Sequence, residues 1–314
     1  MAAFSSVPSV VKALRHELNS LSGAPTRFGY LRLLILLLTL ALGTFLYWVP
    51  HFLLLRAIGL FLIAAAVTFL LIASHEACHG TLLGLPALEF VFSLLIGWPM
   101  AWPSSSYRLL HLRHHSWNSI DPRDPERVQP LPGTLGSLGW KARHPLWWHV
   151  FVLGGIGLIV HTFHASFVLR STDFRLSRCL FVDLAGIAVT QALFLALATY
   201  LHCLPQYLFS WIVVERLAGG FLQLRALIEH WGLAANCPHP ILTQLYASST
   251  IHVPNWVNFF MGGLPYHSVH HAFPAIPASA LPAATRRVEA LIASYQLRPL
   301  PTYPSYWAAI RTLA

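Results

Sequence analysis

Charge is what this sequence has least of. Only 10% of its 314 residues are Asp, Glu, Lys or Arg, while 56% are hydrophobic. A soluble domain carries about 25% charged residues. A chain this poor in charge cannot cover itself with polar surface, so part of its solvent is lipid. Acids are scarcer than bases, 11 against 20, giving a formal charge of +9. The bases are scattered and flank apolar runs, which excludes a nucleic-acid patch. Their excess fits a cytoplasmic membrane surface or an acidic protein partner. Cysteine is sparse too. Cys78, Cys179, Cys203 and Cys237 form no CxxC pair, so neither a disulfide framework nor a thiolate zinc site is expected. Flavin and nicotinamide fingerprints, a fused haem domain and internal repeats are all missing. No secretory signal is apparent, because the first 30 residues are mixed polar and carry Lys12, Arg15 and Arg27.

What is there is apolar length. Residues 1–30 read as a short amphipathic lead-in. Residues 33–49 form an unbroken apolar run of about one bilayer thickness, Pro50 and His51 turn the chain, and residues 52–73 return. Arg56 near the turn can snorkel to the interface. Residues 86–102 are apolar but contain Glu89, Gly97 and Pro99. A crossing there would separate His79 from His111, so this stretch is expected to be re-entrant or interfacial. Residues 111–145 are polar and Pro-rich and read as a water-facing segment. Of the next three apolar stretches, 147–169, 180–203 and 206–228, two can cross. Spans at 147–169 and 180–203 would put Arg170, Arg175 and Arg178 outside, against the positive-inside tendency. Spans at 180–203 and 206–228, with 147–169 re-entrant or interfacial, keep Arg170, Arg175 and Arg178 inside. That choice places Glu215 and Arg216 near mid-bilayer, where they must be paired. The expectation is one all-α integral-membrane domain over 1–314. Four transmembrane helices form two hairpins, under a cytoplasmic histidine-rich cap.

Histidine is abundant, at 18. Three clusters stand at membrane ends: His75-x-x-x-His79, His111-x-x-His114-His115 and His267-x-x-His270-His271. Residues three or four apart share a helix face. HxxxH therefore presents two imidazoles side by side, and HxxHH presents three. Eight such rings could surround two metal ions, and imidazole suits iron, zinc and copper. One HxxxH alone is commonplace. Two copies of HxxHH beside it are not, because buried unpartnered histidines are costly. A rival signature overlaps the first cluster. His75-Glu76-Ala77-Cys78-His79 fits the HExxH of a zinc protease with a glutamate base, and Asp183 is the loose candidate for its further ligand. That reading leaves both HxxHH clusters without a role.

In order and context, the clusters resemble the histidine boxes of the membrane-bound fatty acid desaturase and hydroxylase superfamily. The stretches HEACHG (75–80), YRLLHLRHHSWNSIDPRDPE (107–126) and PYHSVHHAFPAIP (265–277) carry the resemblance. It implies a di-iron centre that activates O2 and removes hydrogens from an unactivated alkyl chain. It implies His230, after the last crossing, as a ninth ligand beside His75, His79, His111, His114, His115, His267, His270 and His271. It further implies a fatty acyl or similar lipid substrate. Electrons would come from an external ferredoxin, rubredoxin or cytochrome b5. The location would be a bacterial inner membrane or the endoplasmic reticulum, with the active site on the cytoplasmic face. Hydroxylases and carotenoid ketolases share these ligands; the box contexts resemble acyl desaturases more than alkane hydroxylases. Ser268 and Val269 stand where many relatives carry a polar or acidic residue, which bears on substrate class.

The remaining histidines are expected to matter less. His149, His161 and His164 lie at roughly helical spacing in an apolar stretch and suit packing or interfacial roles. Asp121, Asp124 and Glu126 suit a solvated loop or contacts behind the ligands. Asn255 and Asn258 suit local turns or support of the third box.

Overall fold

The computed structural model describes residues 7–23, 27–128 and 144–313. Parts of the expected lead-in (1–6 and 24–26) and of the water-facing segment (129–143) lie outside the described residues. Thirteen α-helices occur among the described residues, numbered here in chain order. They are α1 (Val7–Leu18), α2 (Arg27–Trp48), α3 (Leu53–Cys78), α4 (Pro86–Gly97), α5 (Ser104–Trp117), α6 (Gly154–Leu169) and α7 (Phe174–Tyr200). Then come α8 (Leu204–His230), α9 (Pro240–Tyr246), α10 (Asn255–Met261), α11 (His267–Ala272), α12 (Leu281–Ser294) and α13 (Tyr306–Ile310). A π-helical segment, Leu146–Leu153, leads into α6. Among the described residues one parallel pair, β1 (Thr250–Ile251) with β2 (Thr302–Tyr303), ties the segment after α12 to the cap.

By length and composition, four stretches are long and apolar enough to cross a membrane: α2, α3, Leu146–Leu169 and α7. Three of these match expectation. The fourth is 146–169 rather than 206–228, because Glu215, Arg216, Arg225 and Glu229 interrupt α8. Helix α4, with 12 residues, is about 18 Å long, short of the ~30 Å hydrocarbon core. Its Glu89 accepts the N–H groups of Leu82, Leu83 and Leu85 at 3.4, 2.7 and 3.2 Å. The acid in this apolar run therefore satisfies the loop that follows α3.

The stretch 146–169 is not straight. Gly154 adopts φ 53, ψ −145, a conformation open to glycine and strained for any other residue. The chain runs down α8 and back up it. Arg216 donates to the carbonyl of Leu153 at 3.0 Å, and the N–H of Ile156 reaches Glu215 at 2.6 Å. Gln223 bonds the Gly154 carbonyl at 3.2 Å, and His161 meets the Pro125 carbonyl at 2.6 Å. Glu215 and Arg216 are ion-paired with each other. The pair thus serves the backbone groups that the break at Gly154 leaves open, groups that lipid cannot satisfy. At the floor of this reversal, a Cβ on Gly219 would lie 1.9 Å from the Gly155 nitrogen, so only glycine fits.

Helices α7 and α8 run antiparallel. Asp173, which caps α7, pairs with Arg113 of α5 at 2.6 Å. At the other end, Tyr47 of α2 donates to the Gln206 carbonyl at 3.0 Å. Helix α8 then returns to His230 beside the histidine-bearing helices. Above them sits an apolar core of Val10, Leu14 and Leu18 from α1, Leu245 from α9, Val269 from α11 and Val288 from α12. Val269 is 0% exposed, and burying such a side chain is worth about 1.5–3 kcal/mol. This anchor turns the flanking imidazoles of α11 away from the cap core. Ser268 donates to the Ser248 carbonyl at 2.7 Å. Ser268 and Val269 therefore hold α11 in place.

Candidate metal centre

The three histidine clusters converge. His75 and His79 come from the end of α3, His111, His114 and His115 from α5, His230 from the last residue of α8, and His267, His270 and His271 from α11. All are buried except His79, which is half-buried. Potential ligand atoms fall into three groups, the last two sharing His230: His75, His79, His111, His115 and His270; His114, His230 and His271; and Glu229, His230 and His267. Within each group they lie within 4.8 Å of one another.

Their inward edges meet closely. Nε2 of His111 is 3.1 Å from Nε2 of His79 and 3.0 Å from that of His115. Nε2 of His230 is 3.3 Å from that of His114 and 3.0 Å from that of His267. Nε2 of His267 is also 3.0 Å from that of His271.

The outward edges decide the tautomers. Nδ1 of His111 faces Glu126 at 2.8 Å, and Nδ1 of His114 faces Asp124 at 2.8 Å. Nδ1 of His230 faces the Ala247 carbonyl at 3.3 Å, and Nδ1 of His271 faces Gln244 Oε1 at 3.2 Å. Nδ1 of His115 faces the His271 carbonyl at 3.4 Å. Each partner only accepts, so each Nδ1 carries the hydrogen and each neutral Nε2 carries a lone pair. In their neutral forms His111 and His115 aim lone pairs at each other. His114 meets His230 edge to edge in the same way, with burial outweighed by Asp124 and Glu126 so that His114 lies above the ordinary histidine range. Facing lone pairs repel unless a cation lies between them.

Other groups say the same. Both ring nitrogens of His75 and Nε2 of His270 are buried without a hydrogen-bond partner, at about 1–3 kcal/mol for each unsatisfied group. Burial, reinforced by neighbouring imidazoles, pushes His79, His115 and His271 well below the ordinary histidine range and His270 down to about 3. Neutral imidazole is the form that binds metal. The nitrogen-rich donor set fits iron.

Asp124 and Glu126, seen in the sequence as loop acids, stand behind His114 and His111 and orient them. Gln244 was not legible, being a polar residue in a short, mostly apolar helix. It bonds His271 and exchanges hydrogen bonds with Asn118 at 3.3 and 3.1 Å. Glu229 also escaped sequence reading as a member of the centre. Asn258 donates to the Ala278 carbonyl at 3.2 Å, tying α10 to the chain after the third box. His149 and His161 line the cavity below the centre, while His164 is exposed.

The protease signature finds no support in these contacts. Glu76 is held by the buried guanidinium of Arg32 on α2. Asp183 is in none of the ligand groups. It accepts the backbone N–H groups of Ser105 and Ser106 at 3.0 and 2.7 Å, and the Trp98 indole at 3.1 Å.

A cavity of about 200 Å³ reaches the centre at His75, His111, His114, His230 and His267. An adjoining apolar pocket of about 30 Å³ shares Leu71, Trp102, Leu158 and Leu222 with it and ends at Gly155 and Gly219. Together they form a narrow apolar space running from the histidines toward the Gly154 reversal.

Residues 53–303 match the fatty acid desaturase family. Among curated proteins, the chain is similar to the sn-1 oleoyl-lipid 12-desaturase of Picosynechococcus sp. They are 23% identical over 235 residues, covering 69% of this chain and 64% of that protein. It is also similar to the Delta 8-(E)-sphingolipid desaturase of Kluyveromyces lactis, 26% identical over 76 residues, covering 22% of this chain and 13% of that protein. In both cases the match spans less than two thirds of the relative's length.

Proposed function

The chain belongs to the fatty acid desaturase family, and on that premise we propose that it is an O2-dependent di-iron oxidase introducing a double bond into a fatty acyl or similar lipid chain. The observation that carries the reading is the meeting of inward Nε2 edges from three histidine clusters and His230, as at His111–His115 and His114–His230. The ligands are His75, His79, His111, His114, His115, His230, His267, His270 and His271. Iron held there supplies O2 activation and hydrogen abstraction from an unactivated C–H bond.

The protein's own part is placement and dryness. Leu71, Trp102, Leu158 and Leu222 confine an alkyl chain beside His75 and His111. Tyr107 stacks on the His111 ring at 5.3 Å and helps close that wall. A methylene pair held against the centre loses two hydrogens. The balance is –CH2–CH2– plus O2, two electrons and two protons, giving –CH=CH– and two waters. The electrons come from an external ferredoxin, rubredoxin or cytochrome b5. The names of the two relatives support acyl or sphingoid lipid as the substrate class.

For topology, α2–α3 and α7–α8 are the two crossing hairpins, and 146–169 is re-entrant. The reversal at Gly154 and the satisfied Glu215–Arg216 pair support this arrangement. The histidine end faces the cytoplasm, in keeping with Arg123, Arg170, Arg175 and Arg178 near it. The membrane is a bacterial inner membrane or the endoplasmic reticulum.

The test is metal analysis of anaerobically purified protein together with mass spectrometry of lipids from an expressing host. Close to two irons per chain, with loss of two mass units from an acyl chain, is the expected outcome. One zinc without iron overturns the reading. A gain of sixteen mass units without an alkene moves the chain to the hydroxylases.

A further inference from the structure

Three carboxylates surround the histidine centre, and they do not face it in the same way. Asp124 and Glu126 meet the Nδ1 edges of His114 and His111, the edges that point away from the centre. Glu229 meets an inward edge. Its Oε2 lies 3.2 Å from Nε2 of His267, the same atom that lies 3.0 Å from Nε2 of His230 and of His271. Its side chain is 3% exposed.

We propose that Glu229 is itself a metal ligand, the one carboxylate among the nine imidazoles. The proposal rests on the di-iron reading above. Two donor atoms each about 2.0–2.2 Å from one ion and set at a right angle are about 3 Å apart. The Nε2–Nε2 separations of the centre have this value, and so does Glu229 Oε2 to His267 Nε2. The ion pair of Glu229 with Arg225 falls on the same Oε2, and that oxygen has a lone pair for each contact. An ionised carboxylate offers about four lone-pair sites on two oxygens, and ligating carboxylates are themselves commonly hydrogen-bonded.

Counting donors gives the same answer. His75, His79, His111, His115 and His270 form one group of five. The other two groups share His230 and join through the 3.0 Å contact of His271 with His267. Their union is His114, His230, His267, His271 and Glu229. With the carboxylate, both halves hold five donors. Without it, one half has four. Charge points the same way. Asp124 and Glu126 offset buried metal charge only from behind the rings, whereas Glu229 places an anion among the donor atoms themselves.

The consequence is an asymmetric pair, one metal bound by nitrogen alone and the other by nitrogen and a harder oxygen. Mössbauer spectroscopy of the full-length chain, loaded anaerobically with 57Fe(II) in detergent, reads this directly. The wild type should give two quadrupole doublets of equal area. Glu229→Gln should shift one doublet, leave the other unchanged and lower iron content by up to about half. Arg225→Gln, which keeps the carboxylate, should retain both doublets. Glu229→Asp, which draws the oxygen back by one methylene, should move the same doublet as Glu229→Gln and serves if the glutamine variant does not accumulate folded. Unchanged doublets in the Glu229 variants, or an equal change in both, overturns the ligand assignment and leaves the di-iron reading standing. Equal loss of iron from Arg225→Gln and Glu229→Gln also overturns it, since the ion pair alone then explains the effect. A wild-type chain without iron overturns the di-iron reading first, and the ligand assignment with it.

Discussion

Asp183 Oδ2 accepts the backbone N–H of Ser106 at 2.7 Å, so an acid on α7 caps the helix that carries His111, His114 and His115. Its Oδ1 takes the Ser105 N–H and the Trp98 indole at 3.0 and 3.1 Å. The first N–H groups of a helix have no partner within it, and here the partner comes from another helix. Asp183→Ala leaves two buried backbone donors and the half-buried Trp98 indole open. Losing a helix cap costs about 0.5–2 kcal/mol, and each stranded donor about 1–3 kcal/mol. Thermal unfolding in detergent should show a clear fall in Tm for Asp183→Ala and a smaller one for Asp183→Asn. An unchanged Tm for the alanine variant refutes the cap.

The outward carboxylates should tune metal retention without being ligands. Asp124→Ala and Glu126→Ala remove the acceptors that keep hydrogen on Nδ1 of His114 and His111. Loss of such a partner typically weakens metal binding by about 10–100-fold. Chelator competition on iron-loaded protein should show that loss, with the fold retained by circular dichroism. Wild-type retention in both variants would show that the tautomers are fixed elsewhere.

The sequence made the histidines legible because HxxxH and HxxHH need only helical spacing to share a face. It could not show which edge of each ring faces inward, since that depends on acceptors from 10 to 156 positions away, as with Asp124 behind His114 and the His271 carbonyl behind His115. Hydropathy recognised α2, α3 and α7. It reads 146–169 as long and apolar because a backbone reversal at one glycine leaves no mark on composition. Glu215 and Arg216 looked expensive in the sequence. Their partners are backbone groups some 60 positions earlier, freed by that reversal. The lead-in was legible as amphipathic, but not the fact that Val10, Leu14 and Leu18 pack on α12.

The Glu215–Arg216 pair should behave as a unit. Glu215→Leu strands the Ile156 N–H and leaves Arg216 without its carboxylate, though still bonded to the Leu153 carbonyl. Breaking a buried pair from one side costs about 3–5 kcal/mol, and the half-exposed Arg216 brings this toward the low end. Arg216→Leu alone strands Glu215, and Glu215→Leu/Arg216→Leu together should cost less than the two singles summed. Gly154→Ala should destabilise independently. It strains a φ of 53 and brings Cβ to 2.7 Å from the Arg216 guanidinium. Additive effects of Glu215→Leu and Arg216→Leu in a double-mutant cycle would show that the pair is not coupled.

Cysteine labelling checks the topology. With the native cysteines replaced, single cysteines at the exposed positions Ile120 and Ala275 should react with an impermeant maleimide from one face of sealed vesicles. A cysteine at the exposed Phe52, in the α2–α3 turn, should react from the other face. Labelling of 120 and 275 from opposite faces would rule out a shared centre.

The last prediction separates ligands from bystanders. His114→Ala and His270→Ala take donors from opposite halves of the centre. Each should abolish product formation while the protein elutes as a folded species. His202→Ala is the control. His202 is exposed, at a φ of 55 in the α7–α8 turn, at the opposite end of α8 from His230. It should cost little activity. His161→Ala should lie between them. The His161 ring bonds the Pro125 carbonyl at 2.6 Å, next to both Asp124 and Glu126. Its loss should loosen that loop and lower activity modestly through His111 and His114. Iron content decides the interpretation. His161→Ala with full iron and reduced turnover fits a supporting role. His161→Ala that loses iron as completely as His114→Ala would make His161 a ligand and would break the five-and-five division of the centre.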